Sequence, residues 1–201
     1  MDFWDRLMAM ADNGDGDRAT RNIIDKLLDQ RIVMLSEPVM PESAQRLVAQ
    51  LLYLDAQTSK KPIHFYINTP GGSISDGFAL FDTIRFIKAT VISICTGLSA
   101  SMGTILMLAP PNKKNRVCLP NTRFMIHQPS SAYQGSASDI EIGAKQILKL
   151  RDRLIEIYVE ETKMDADRVR ADLHRDYWMA AEEAVQYGLC DRVVKSLTDL
   201  S

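Results

Sequence analysis

Residues 89–112 read ATVISICTGLSASMGTILMLAPPN, 24 consecutive positions without a charged side chain. That length could span a bilayer. Against a membrane span stand Ser93, Thr96, Gly97, Ser99, Ser101, Gly103, Thr104 and Pro110, and a change of character along the stretch: its first half is β-branched and its second half is not. A buried strand, Val91 to Cys95, a Gly/Ser turn and an apolar helix, Met102 to Ala109, fit better.

Working outward, the same alternation recurs. Upstream, Arg31 to Leu35 reads as a strand, and Pro41-Glu42-Ser43 opens a helix with Leu47, Leu51, Leu52 and Leu54 on its apolar side. Ile63 to Asn68 is a second strand, the turn Thr69-Pro70-Gly71-Gly72-Ser73 follows, and Asp76 to Lys88 forms a helix through Phe78, Leu80, Phe81, Ile84 and Ile87. Downstream come a Lys/Asn loop, the strand Arg123 to His127, and a long helical pattern from Ser138 to Lys163 carrying Ile140, Ile147, Leu148, Leu154, Ile155 and Tyr158. The tail repeats the theme: Tyr177-Trp178-Met179, then Ala181 to Tyr187 closed by Gly188, then Leu189 to Val194. Strands alternating with helices predict an α/β fold around a mostly parallel sheet. The long helix, about 26 residues and about 39 Å, is large beside the radius of gyration of about 16 Å expected for this length. It either lies across the surface or projects as an arm onto another subunit.

Bulk properties narrow the function. The 201 residues are 46% hydrophobic and 25% charged, enough for one well-buried domain. With 24 basic and 26 acidic side chains the net charge is −2, so no footprint for nucleic acid and no polybasic membrane patch is present. Cys95, Cys118 and Cys190 lie in apolar stretches, as reduced core residues of a cytoplasmic protein do, and the first 18 residues show no secretory signal.

Three histidines make the search for a general base short. His64 alternates with Ile63 and Phe65 and reads as a polar residue on a sheet's second face; His174 sits in a charged Asp-Leu-His-Arg-Asp stretch. His127 ends a strand, where parallel sheets bind ligands. A nucleophile for it is best placed at another strand end turning sharply into a helix, as Thr96 to Gly103 does. Ser99 is by residue type the better N-cap, and Ser101, between Ala100 and Met102-Gly103, the better nucleophile; simple capping remains the alternative for both. Pro70-Gly71-Gly72 offers peptide N–H groups at close range to a carbonyl oxygen, although any tight connection also wants glycine. Asp176 is the best-placed carboxylate to orient His127, or else a solvated turn residue.

These residues resemble the ClpP family, the proteolytic subunit of the ATP-dependent Clp protease, from about Arg31 to Val194. The likeness is carried by Tyr66-Ile67-Asn68-Thr69-Pro70-Gly71-Gly72, Ala100-Ser101-Met102-Gly103, Met125-Ile126-His127-Gln128-Pro129, and Arg175-Asp176 ahead of residues 181–189, AEEAVQYGL. It implies Ser101 as nucleophile, His127 as base, Asp176 as orienting carboxylate, and the N–H groups of Gly72 and Met102 as the oxyanion hole. It implies a crotonase-like ββα spiral with a helical handle at about 132–164, within a single peptidase domain 22–201. It implies a homo-oligomer of two stacked heptameric rings, a tetradecamer fed by a hexameric AAA+ unfoldase that threads in unfolded protein. ATP belongs to that partner, since this chain carries no Gly-x-x-x-x-Gly-Lys-Ser/Thr loop; no cofactor and no metal is expected in it. Tyr66 and Phe81 match docking-cleft positions, although buried core aromatics would look the same, and Gln134, His174 and Arg175 match ring-to-ring contacts.

The sequence departs from the family at three places. Residues 1–21 form an atypical axial or gating segment, with Phe3, Trp4, Leu7 and Met8 on one helical face, followed by an acidic run, Asp12 to Asp17, that lacks the spacing of an EF-hand. The loop Pro110 to Asn115 is one residue longer than usual. His174 stands where the family commonly has an acidic residue, which predicts weaker or pH-sensitive ring association. Two other functions compete with an autonomous peptidase: a regulatory subunit active only with a paralogous ring, and a crotonase-type acyl-CoA enzyme, which needs no Ser101, His127 and Asp176 at matched positions.

Overall fold

A computed structural model describes residues 16–130 and 134–200; the expected helical face at Phe3, Trp4, Leu7 and Met8 lies outside them. Helix α1 (Gly16–Asp29) runs across position 21 and leads into β1 (Ile32–Leu35), α2 (Pro41–Gln57), β2 (Ile63–Thr69), α3 (Ile74–Phe86) and β3 (Val91–Ala100). Then follow α4 (Met102–Met107), β4 (Arg116–Cys118), β5 (Arg123–Ile126), α5 (Ala137–Thr162), α6 (Ala166–Leu173), β6 (Tyr177–Ala180), α7 (Ala181–Tyr187) and β7 (Arg192–Val193). The chain is α/β, as its alternation predicts.

The sheet runs β1-β2-β3-β4-β7 with every pair parallel, and β5 joins β3 on the same side as β4. β3 therefore has two partners in succession: Ser93 to Cys95 pair with β4, and Leu98 to Ala100 pair with β5. Between these halves the register against β2 jumps from Ile67↔Cys95 to Thr69↔Ser99, so β3 spends four residues where β2 spends two. Gly97 takes φ 56° there, and the Asn68 side chain accepts the Leu98 N–H at 3.1 Å. The Gly/Ser stretch expected as a turn after Cys95 is thus a bulge inside a longer strand.

Alternation sorts β2 cleanly. Ile63, Phe65, Ile67 and Thr69 face the main core, with Leu47, Leu51, Leu54, Leu80, Phe81 and Ile84 from α2 and α3 packed in the same layer. His64 and Tyr66 face the other side, where Tyr66 packs on a small cluster of Ile94, Val117 and Val194. Burial lowers the pKa of His64 from its ordinary value. Leu52, expected on the apolar side of its helix, is exposed: Leu47, Leu51 and Leu54 already define a stripe at helical spacing, and Leu52 falls a hundred degrees off it. All three cysteines are buried, free thiols.

The long helix α5 divides in two. Its second half buries Leu154, Ile155, Ile157 and Tyr158, while Ile140, Ile142 and Leu148 in its first half stay exposed. It begins with a capping box in which Ser136 and Asp139 exchange hydrogen bonds. Its C-terminal end is pinned through Glu161, which binds the guanidinium groups of both Arg85 and the buried Arg116.

Candidate active site

Strand register assembles the site. Ala100 pairs with Met125 and the Ser101 N–H donates to the Met125 carbonyl at 2.7 Å, which brings the end of β3 beside the end of β5. β6 pairs antiparallel with β5, Ile126 opposite Tyr177, so the next residue on one side, His127, meets the preceding residue on the other, Asp176. Three side chains separated by 26 and 49 positions thereby converge.

Ser101, not Ser99, stands at the N-cap position of α4, and it caps nothing: its side chain makes no bond to the helix. The expectation that Ser99 serves as the cap fails because β3 continues to Ala100, which leaves Ser99 buried within the strand. The Ser101 backbone adopts φ 54° and ψ −121°, a conformation that non-glycine residues hold only under constraint, at about 1–3 kcal/mol. It turns Oγ out of the sheet to 2.9 Å from His127 Nε2. On the other side of the ring, Nδ1 lies 3.3 Å from Asp176 Oδ1, and the Asp176 carboxylate is 62% exposed, a looser contact than that of the serine. The segment after β5 is held by Gln128, whose N–H donates to the Leu173 carbonyl and whose side-chain amide donates to that of His174.

The Pro70-Gly71-Gly72 turn packs directly on this corner. A Cβ on Gly71, at φ 93°, would lie 2.7 Å from both the Ala100 carbonyl oxygen and Ser101 Cβ. The turn is fixed by bonds to Val39, whose N–H donates to the Gly71 carbonyl and whose carbonyl accepts the Ser73 N–H. Successive peptide groups of extended chain face opposite ways, so the Gly72 N–H points away from Val39. The cleft itself encloses about 260 Å³ and is lined by Gly72, Ser73, Ile74, Ser101, His127 and, from α5, Ile147 and Leu150. Ile74 and Leu150 were not legible as site residues; helical apolar periodicity accounts for both without a ligand.

The other sequence candidates lie elsewhere. Phe81 is buried in the core, with Phe78 edge-on and the Arg85 guanidinium 4.4 Å over its ring. Tyr66 is on the opposite face of the sheet, in register with Met34. Met34 lines an apolar groove of about 520 Å³ with Ile23, Ile24, Leu27 and Ile32. His174 and Arg175 are exposed at the end of α6, and Gln134 is exposed ahead of α5.

A hydroxyl on a constrained strand-to-helix turn, an imidazole within hydrogen-bond reach and a glycine turn facing both make up the site of a serine hydrolase built on a parallel sheet. A family model for Clp protease matches residues 15–197 of this chain. An "ATP-dependent Clp protease proteolytic subunit" from Deinococcus radiodurans is 45% identical over 181 residues, covering 90% of this chain and 88% of that protein. The chain belongs to the Clp protease family, and it is a serine peptidase.

Proposed function

We propose that this chain is the proteolytic subunit of an ATP-dependent Clp protease, with Ser101 as nucleophile, His127 as general base and Asp176 as the carboxylate that orients the imidazole. The observation that carries the assignment is the 2.9 Å approach of His127 Nε2 to Ser101 Oγ on a backbone turn held at φ 54°. In the neutral tautomer protonated at Nδ1 toward Asp176, Nε2 takes the Ser101 proton as Oγ attacks a peptide carbonyl, then returns it to the departing amine. A water repeats the sequence on the acyl enzyme. The N–H groups of Gly72 and Met102 receive the oxyanion, and Ile74, Ile147 and Leu150 favour an apolar substrate side chain beside the scissile bond.

The same reading assigns the surfaces. The exposed Ile140, Ile142 and Leu148 of α5, with Gln134, His174 and Arg175, form a contact with another copy in a stacked double ring. The groove beside Tyr66 receives an unfoldase that supplies unfolded chains. Ser101→Ala tests the core of the assignment: hydrolysis of short peptides disappears while the native mass of the assembly is kept. Peptidase activity persisting in that variant would falsify it.

A further inference from the structure

The Ser101–Met102 peptide is held from below by a hydrogen-bonded relay that starts on another element. The Ser101 carbonyl oxygen accepts the Thr104 N–H at 3.0 Å and the Thr104 hydroxyl at 2.6 Å. Thr104 Oγ1 lies 2.5 Å from the hydroxyl of Tyr158, which belongs to the packed half of α5. A carbonyl can only accept, so the single Thr104 hydroxyl proton is committed to it, and Tyr158 is the donor of the second bond. The order is therefore Tyr158 to Thr104 to the Ser101 carbonyl. Both side chains are buried, and burial pushes the Tyr158 phenol up, so the proton stays in place wherever the protein is folded.

The direction of that carbonyl decides the direction of something else. In a planar trans peptide, C=O and N–H point opposite ways, so drawing the Ser101 carbonyl into α4 aims the Met102 N–H outward. Met102 opens α4, where N–H groups have no acceptor within the helix. Back-bonding of a threonine to the carbonyl three residues earlier is ordinary at a helix start and explains half of the relay. It does not explain a phenol reaching the same hydroxyl from 54 residues away.

We infer that Tyr158 and Thr104 are positioning residues that set, through the Ser101–Met102 peptide, the aim of the oxyanion-binding N–H. This rests on the roles given to Ser101 and Met102 above. It makes the base of the handle helix a part of the catalytic corner, although it touches no substrate.

Tyr158→Phe keeps the ring and removes only the donor. The expected result is a kcat for a short peptide lower by about three- to ten-fold at unchanged KM. The rate at which a fluorophosphonate labels Ser101 should fall by the same factor, because that reagent also places an oxygen at the Met102 N–H. Thr104→Val should lose at least as much, Thr104→Ser should recover most of it, and the double variant Tyr158→Phe/Thr104→Val should be no slower than Thr104→Val alone. A purely structural role would lower the melting temperature and leave kcat, KM and labelling at wild-type values well below it; that outcome overturns the inference. If Tyr158→Phe fails to assemble, the contrast between Thr104→Val and Thr104→Ser decides, and equal rates overturn it. Wild-type protein that is never labelled at Ser101 would instead overturn the assignment of the nucleophile.

Discussion

Gly71 is the position where the site tolerates least. Its missing Cβ leaves room for the Ala100 carbonyl and the Ser101 side chain to press against the turn, and its φ of 93° is one that side chains resist. Gly71→Ala should therefore displace the turn from Ser101. We expect peptide turnover to fall at least 100-fold, the scale of losing an oxyanion donor, with a melting temperature lowered by the strain; turnover near wild type would show that the turn is not needed where it sits. The residue scale was also where sequence was most informative. Ser101 and His127 could be singled out because each stands at a strand end next to small or turn-forming residues, and Asp176 because it directly precedes the strand-like Tyr177-Trp178-Met179. What could not be read was the choice between Ser99 and Ser101, since that depends on how far β3 runs, and its last residues are strand because β5 and Thr69 of β2 pair with them across the sheet.

At the scale of elements, the end of α5 is fastened to the sheet by one carboxylate. Burial raises the pKa of Glu161, yet its bonds to Arg85 and Arg116 outweigh that and hold it below the ordinary glutamate value. The Arg116 side chain is 1% exposed, so replacing Glu161 by Gln leaves a buried guanidinium without its counter-charge. A loss of about 3 kcal/mol of unfolding free energy is expected, measurable by denaturant titration. Because the folded-state pKa is the lower one, this stabilisation is full above the unfolded value of about 4.3 and is lost as pH falls through the folded value. The melting temperature of the wild type should thus drop more steeply below that pH than that of Glu161→Gln; parallel curves would remove Glu161 from the account. Elements with long apolar periods beyond Arg31 are legible in the sequence, whereas α1, which follows the acidic run and carries only Ile23, Ile24, Leu27 and Leu28, and two short elements are not. β4 has three residues and owes its extended form to its two neighbours, and α6 offers only Val169 and Leu173 among charges, its one signal being the N-cap Asp165. The bond between Thr104 and Tyr158 left no trace at all, because pairings across 54 residues have no local pattern.

For the whole molecule, the sequence signal was the uncharged stretch, and the structure uses it as the central strand and its helix. Among the described residues, no helix is long and apolar enough to cross a membrane. Of the exposed apolar side chains, Ile140, Ile142 and Leu148 share α5 and Ile23, Ile24 and Met34 form a second group, while Phe86 and Leu197 stand apart from both. His174 stands at the edge of the first of these with Arg151 and Arg170 lining the same small pocket, Arg175 and Asp176 following in sequence, and no acidic side chain in the pocket lining. Arg151 and Arg170 each pair with a neighbouring aspartate, Asp152 and Asp167, and a fixed negative charge at position 174 would give both a further counter-charge, so His174→Glu should tighten assembly. Native mass profiles identical for the two proteins would sink the idea. The bulge in β3 carries one more consequence. It adds two residues to β3 relative to β2, and two is an even number, so Cys95 and Ser99 both stay on the buried side. An odd change would invert every position beyond it. The strand therefore behaves as a parity counter: a longer loop at Pro110 to Asn115 lies beyond Ser101 and leaves it untouched, but a single residue gained or lost at Thr96 to Leu98 would swap the faces of Ser99 and Ala100, on which the turn into Ser101 is built.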